Sequence, residues 1–106
     1  MDEVFGEVIS EYSLEQAIED GVLVEVFKNR WDELSQGKPI VATAHLFSQV
    51  SLAGLLEIWN EYVAWRTNVM PTLPEEDQMF VTTMDGEKVW LLEDGQAFTM
   101  LYPEDY

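Results

Sequence analysis

Apolar and polar positions change their period several times along this chain, and each change marks an element. Ser13-Leu14-Glu15-Gln16 sets Ser and Gln at the spacing of a capping box, so a short helix is predicted to begin after Ser13 and to stop at Gly21. Leu14, Ala17 and Ile18 then share one face while Glu15, Glu19 and Asp20 meet water. Val22-Leu23-Val24-Glu25-Val26-Phe27 is β-branched and apolar with a single charge, the pattern of a strand covered on at least one face. Asn29 is positioned to cap a second short helix through Trp31, Leu34 and Ser35, closed by Gly37 and the following Lys38-Pro39. Residues 40–50 read two ways: Ile40-Val41-Ala42-Thr43 suits a strand, whereas Ala44-His45-Leu46-Phe47 continues readily as helix, and helix is favoured for the latter part.

The longest periodic segment spans residues 51–67. Leu52, Leu55, Leu56, Trp59, Tyr62 and Val63 fall at helical spacing, with Glu57, Asn60 and Glu61 opposite and Ser51 as the cap. Pro71 and Pro74 forbid its continuation. Beyond Glu75-Glu76-Asp77 the period becomes two, and Met79 to Met84, Glu87 to Leu92 and Ala97 to Tyr102 read as three strands separated by the turn pairs Asp85-Gly86 and Asp94-Gly95. Helices first and a meander last predict an α+β fold: N-terminal helices and a short strand, then one long central helix packed on a C-terminal three-stranded antiparallel meander.

Charge changes the picture most. Asp and Glu number 21 against five Lys and Arg, a formal charge of -16 on 106 residues. Such a balance favours cationic partners and opposes binding to nucleic acid or anionic lipid through phosphate contacts. The chain is nonetheless 47% hydrophobic, with four Trp, five Phe and four Tyr, too apolar for an acidic disordered segment. Residues 1–106 are therefore expected to fold as a single domain with a sizeable core. The absence of Cys excludes a disulfide framework, a Cys-based zinc site and a cysteine nucleophile, and suits a reducing compartment. With no charged leader and no run of the roughly 18 apolar residues a membrane span requires, a cytoplasmic protein is expected.

Val4-Phe5-Gly6-Glu7-Val8-Ile9, followed by Tyr12-Ser13-Leu14-Glu15-Gln16-Ala17-Ile18-Glu19-Asp20-Gly21-Val22-Leu23-Val24, resembles the opening of an uncharacterised family of small bacterial proteins, often phage- or plasmid-borne. The closing Leu101-Tyr102-Pro103-Glu104-Asp105-Tyr106 is similar to that family's ending. The resemblance implies an association with mobile elements and carries no catalytic residues with it.

Motifs for chemistry are few. His45 is the only histidine, so a His-based dyad has only Thr43 or Ser48 nearby as hydroxyl, and a zinc site would need carboxylates throughout; a satisfied, semi-buried histidine is the simpler expectation. Glu57 and Glu61 stand one turn apart and would serve a carboxylate- or metal-assisted hydrolase if they faced a cleft, but a solvated helix face is the simpler expectation. Glu75-Glu76-Asp77 and Asp85-Gly86-Glu87 lack the alternating ligand spacing of a calcium loop. Lys28, Arg30, Lys38, Arg66 and Lys88 are too few and too scattered along the chain for a basic patch, and no glycine-rich phosphate loop or nucleophile elbow occurs. The reading is thus a protein that is not an enzyme, with no catalytic residues, no cofactor and no metal site.

The expected function is that of an acidic protein-binding domain. Its partner would be a basic protein, in the concrete case a nucleic-acid-binding protein whose cationic groove accepts a mimic of phosphate charge, which makes a mobile-element anti-defence role the specific version. The four Trp are expected mostly in the core, although Trp65 beside Arg66, and Tyr102 and Tyr106 flanking Glu104-Asp105, are candidates for aromatics ringed by charge. Partner-binding candidates are Glu15, Glu19 and Asp20 of the first helix and Glu75, Glu76 and Asp77 of the loop. The first three are expected to form the densest ridge together with Asp2, Glu3, Glu7 and Glu11, since no Lys or Arg precedes Lys28. Hydrolase chemistry at the helix acids is the alternative, and plain acidic solubility the third possibility.

Overall fold

Ser13 is extended at φ -66° and ψ 156°, which brings its hydroxyl within 3.0 Å of the Gln16 N–H and satisfies one of the first-turn donors that a helix leaves unpaired. A computed structural model describes residues 13–106, and α1 (Leu14–Glu19) is its first element. The helix ends in a Schellman motif: Gly21 adopts φ +78°, its N–H bonds the Ile18 carbonyl at 3.1 Å, and the Val22 N–H bonds the Ala17 carbonyl at 2.9 Å. Leu14, Ala17 and Ile18 pack as one face against Leu23, Val41 and Ala97. The expected N-terminal acids Asp2, Glu3, Glu7 and Glu11, and the segment Val4 to Ile9, lie outside the described residues.

Strand β1 (Leu23–Glu25) is shorter than its apolar run. It pairs antiparallel with β2 (Ile40–Thr43), Leu23 opposite Thr43. Between them a single turn of 3₁₀-helix (Lys28–Arg30) runs directly into α2 (Trp31–Leu34). Asn29 caps neither. The turn is entered instead from Phe27 in the left-handed region at φ 57°, and closed by the Arg30 N–H on the Phe27 carbonyl at 2.8 Å. Trp31 anchors it by donating its indole N–H to the Val26 carbonyl at 2.8 Å. Both readings of residues 40–50 hold in succession, because Thr43 ends β2 and its hydroxyl then accepts the Leu46 N–H at 3.2 Å, starting α3 (Ala44–Gln49).

Ser51 accepts the Gly54 N–H at 3.1 Å and opens α4 (Leu52–Asn68). Its buried residues are Leu55, Ile58, Trp59 and Tyr62, so the inward face is rotated from the expected one. Leu52 and Val63 remain 55% and 41% exposed, and Leu56 is only partly buried. An apolar stripe this wide fits several rotations of the helix. The sheet selects the one in which Leu55, Ile58, Trp59 and Tyr62 join Phe80, Leu91, Phe98 and Met100 in a common core. Gly54 makes the corner between α3 and α4 feasible, since a Cβ there would lie 2.7 Å from Val50 Cγ1.

Strands β3 (Phe80–Met84), β4 (Glu87–Glu93) and β5 (Phe98–Leu101) form the expected meander. Asp85 and Gly86, at φ 55° and 82°, give the first hairpin its two-residue turn of the primed type. At the second, the Asp94 carboxylate accepts the N–H groups of Gln96 (2.7 Å) and Ala97 (2.9 Å). The sheet, however, has five strands in the order β1-β2-β5-β4-β3, not three. Strand β5 is flanked on its other side by β2, in parallel, with Ile40 opposite Phe98 and Ala42 opposite Met100. All four residues of β2 and all four of β5 are buried, as befits central strands covered on both faces. The fold is α+β with α4 across one face of a mixed sheet, and α1 against the β1–β2 part of the other.

Candidate functional site

The six expected partner-binding acids are all exposed. They do not form one group. Glu15, Glu19 and Asp20 ride on α1, which packs on Leu23 and Val41 at the β1–β2 side, whereas Glu75, Glu76 and Asp77 form a 3₁₀ turn leading into β3, the strand at the opposite edge. That turn is tied back by Gln78, whose amide donates to the carbonyls of Met70 (3.1 Å) and Leu73 (3.0 Å).

A different set of acids converges at the far end of the sheet. The tail turns through one 3₁₀ turn (Pro103–Asp105), and the Asp105 carboxylate takes the Thr43 hydroxyl at 2.9 Å and His45 Nδ1 at 3.1 Å. His45 is therefore exposed but partnered, rather than semi-buried, and its ring lies 4.7 Å from that of Tyr102. Burial raises the Tyr102 phenol above its usual value, and the charges of Glu87, Asp105, Glu104 and Asp85 raise it further. One phenol thus feels the carboxylates of both the β3–β4 turn and the tail. Tyr106 meets Trp90 edge to face at 5.5 Å, with the Lys88 side chain on the same face of β4 as Trp90, opposite to the face on which Val89 and Leu91 join Tyr102 in the core. The pairing of tail acids with Tyr102 and Tyr106 is legible in the sequence; the arrival of Asp85 and Glu87, read there only as a turn, is not.

The second feature is a cleft of about 670 Å³ between α4 and the loop before β2. Lys38 Nζ lies 3.1 Å from Glu93 Oε2 and also donates to the Asp94 carbonyl; Arg66 Nη2 lies 3.3 Å from Glu93 Oε1; the Tyr62 hydroxyl donates to the same Oε1 at 3.5 Å. Phe98 floors this group, its ring centroid 4.9 Å from Lys38 Nζ and 5.9 Å from the Arg66 guanidinium carbon. Burial raises the Tyr62 phenol above its usual value; the Arg66 charge opposes that shift and the Glu93 charge adds to it. Two basic residues that stand 28 positions apart in the sequence therefore share one carboxylate. Lys28 and Arg30, by contrast, make local surface pairs with Glu25 and Glu33 among the described residues.

The hydrolase pair does not assemble into such a site. Glu57 and Glu61 are exposed, and Glu61 is taken by the Thr82 hydroxyl. Among the described residues no group of three or more His, Asp or Glu side chains is arranged to hold a metal ion, and no helix is long and apolar enough to cross a membrane. In comparisons with known proteins no family model, no curated protein and no solved structure matches this chain.

Proposed function

We propose that this protein is a non-enzymatic acidic binding domain whose partner is a basic protein, and that the acidic, aromatic end of the sheet is its contact surface. The observation that carries the reading is the seating of the tail on the end of the sheet: Asp105 takes Thr43 and His45, the His45 ring lies 4.7 Å from Tyr102, and the charges of Glu87, Glu104 and Asp85 reach the same phenol. Aromatic side chains supply contact energy at interface centres, while surrounding charge steers encounter and rejects wrong partners. The charge of -16 extends that steering over the rest of the molecule, with the α1 acids and Glu75 to Asp77 acting at longer range.

The specific version is a cytoplasmic, phage- or plasmid-borne anti-defence protein that occupies the cationic groove of a nucleic-acid-binding protein. Duplex DNA carries about one negative charge per 1.7 Å of axis, and a dense carboxylate surface answers the same Lys and Arg side chains. The resemblance of the chain's opening and ending to mobile-element proteins supports this version.

Affinity capture from the host, repeated with competing duplex DNA, tests it. The captured protein is expected to be a basic nucleic-acid-binding protein that DNA displaces. Glu87→Lys with Glu104→Lys is expected to abolish capture, and Glu19→Lys with Asp20→Lys to weaken it only modestly. The opposite ranking moves the interface to α1; no captured basic protein at low or moderate salt refutes the function.

A further inference from the structure

Lys38, Arg66 and Glu93 form a cluster with one positive charge in excess, set in a cleft of a strongly negative protein. Evenly distributed solubilising charge does not account for it. Such a cluster over an aromatic floor is the arrangement that binds small anions with an apolar body, and the volume of about 670 Å³ is in the range of ligand pockets. We propose that this cleft binds a small monocarboxylate carrying a flat apolar body.

Charge selects the monoanion. One added carboxylate neutralises the cluster, whereas a dianion over-neutralises it within a molecule already at -16. Arg66 selects the carboxylate, because a guanidinium presents parallel donors matched to two carboxylate oxygens, and its recorded ion pair with Glu93 is a single contact at 3.3 Å from Nη2. Its side chain is 45% exposed and lines the cleft beside Tyr62, with which it also interacts. The walls select the flat apolar body: Phe98 and Trp59 at the floor, Leu34 and Val63 at the lips. The exposure of Val63, which the core leaves unexplained, follows from a place at the mouth of this cleft. Glu93 acts here as a built-in competitor, holding both cations in position until a ligand carboxylate displaces it from one of them.

Benzoate is a suitable probe, with benzamide as its neutral isostere, and amide chemical shifts of the full chain as the readout. Benzoate is expected to shift the Lys38, Arg66 and Glu93 signals saturably, and benzamide to leave them unmoved. Arg66→Gln is expected to weaken benzoate binding about tenfold or more. Glu93→Gln, which removes the competitor and keeps the shape, is expected to tighten it several-fold. A purely structural cluster predicts the reverse for Glu93→Gln, because both cations lose the carboxylate that they share. Equal shifts with benzoate and benzamide, or weaker binding by a folded Glu93→Gln protein, overturns the proposal; so does a failure of benzoate to shift these signals at all.

Discussion

Ile40 lies directly opposite Phe98 in the parallel pairing of β2 with β5, and that single relationship organises both candidate surfaces. It brings the loop carrying Lys38 to the end of β4 that carries Glu93, and it delivers Thr43 and His45 to the other end, where Asp105 closes on them. Val41, between the two ends, faces α1 instead.

The rotation of α4 is checked by truncation. Leu55→Ala and Ile58→Ala are expected to cost about 2–5 kcal/mol, and Trp59→Ala about 3–5 kcal/mol, because these side chains are buried in the common core. Leu52→Ala should cost less than about 1 kcal/mol, and Leu56→Ala should fall between the two groups. Chemical denaturation reads all five; equal losses at Leu52 and Ile58 would contradict the observed face.

Gly54→Ala is expected to destabilise the protein although alanine is the better helix former by about 1 kcal/mol. The added Cβ meets Val50 Cγ1 at 2.7 Å, and overpacking a buried contact costs about 1–3 kcal/mol, so the clash outweighs the propensity. Adding Val50→Ala relieves the clash but leaves a cavity. A stabilised single variant would mean that Val50 turns aside freely.

Asp105→Ala removes the acceptor used by both Thr43 and His45. The expected loss is about 1–2 kcal/mol, mostly from the Thr43 hydroxyl, which is buried and also starts α3. Glu104→Ala, one residue earlier and exposed, is expected to lie within about 0.5 kcal/mol of the parent in the same denaturation experiment.

Alkaline pH is expected to destabilise the fold through Tyr62 and Tyr102. Both phenols are raised above 10.0 in the folded protein, so the folded state holds their protons more tightly than the unfolded chain does. Their contribution is fully present below the unfolded value and is lost as pH rises through the folded values. Ultraviolet titration should find Tyr62 and Tyr102 ionising late, and Tyr62→Phe should reduce the stability lost at alkaline pH. An unchanged alkaline loss in Tyr62→Phe and Tyr102→Phe would assign it to general charge repulsion.

The elements that the sequence determined by itself are those fixed by neighbouring residues. Ser13 and Gly21 bound α1, Ser51 and the prolines bound α4, and Asp85-Gly86 and Asp94 define the two hairpins, because capping, ring closure and turn geometry act within a few residues. Asn29 failed as a cap because Phe27 takes the left-handed conformation and starts the turn two residues earlier. Tertiary structure alone decided the rest. Alternative rotations of α4 carry nearly the same apolar stripe, and only contact with Phe80, Leu91 and Phe98 separates Ile58 from Leu52. Strand β2 seeks a partner by backbone hydrogen bonds, which carry no residue code, so its parallel place beside β5 is set by burial of both strands and not by any local signal. From that pairing follow the meeting of Lys38 with Glu93, which Arg66 reaches from α4, and the closing of Asp105 on Thr43 and His45. Both depend on contacts between residues far apart in the chain, which periodicity does not encode.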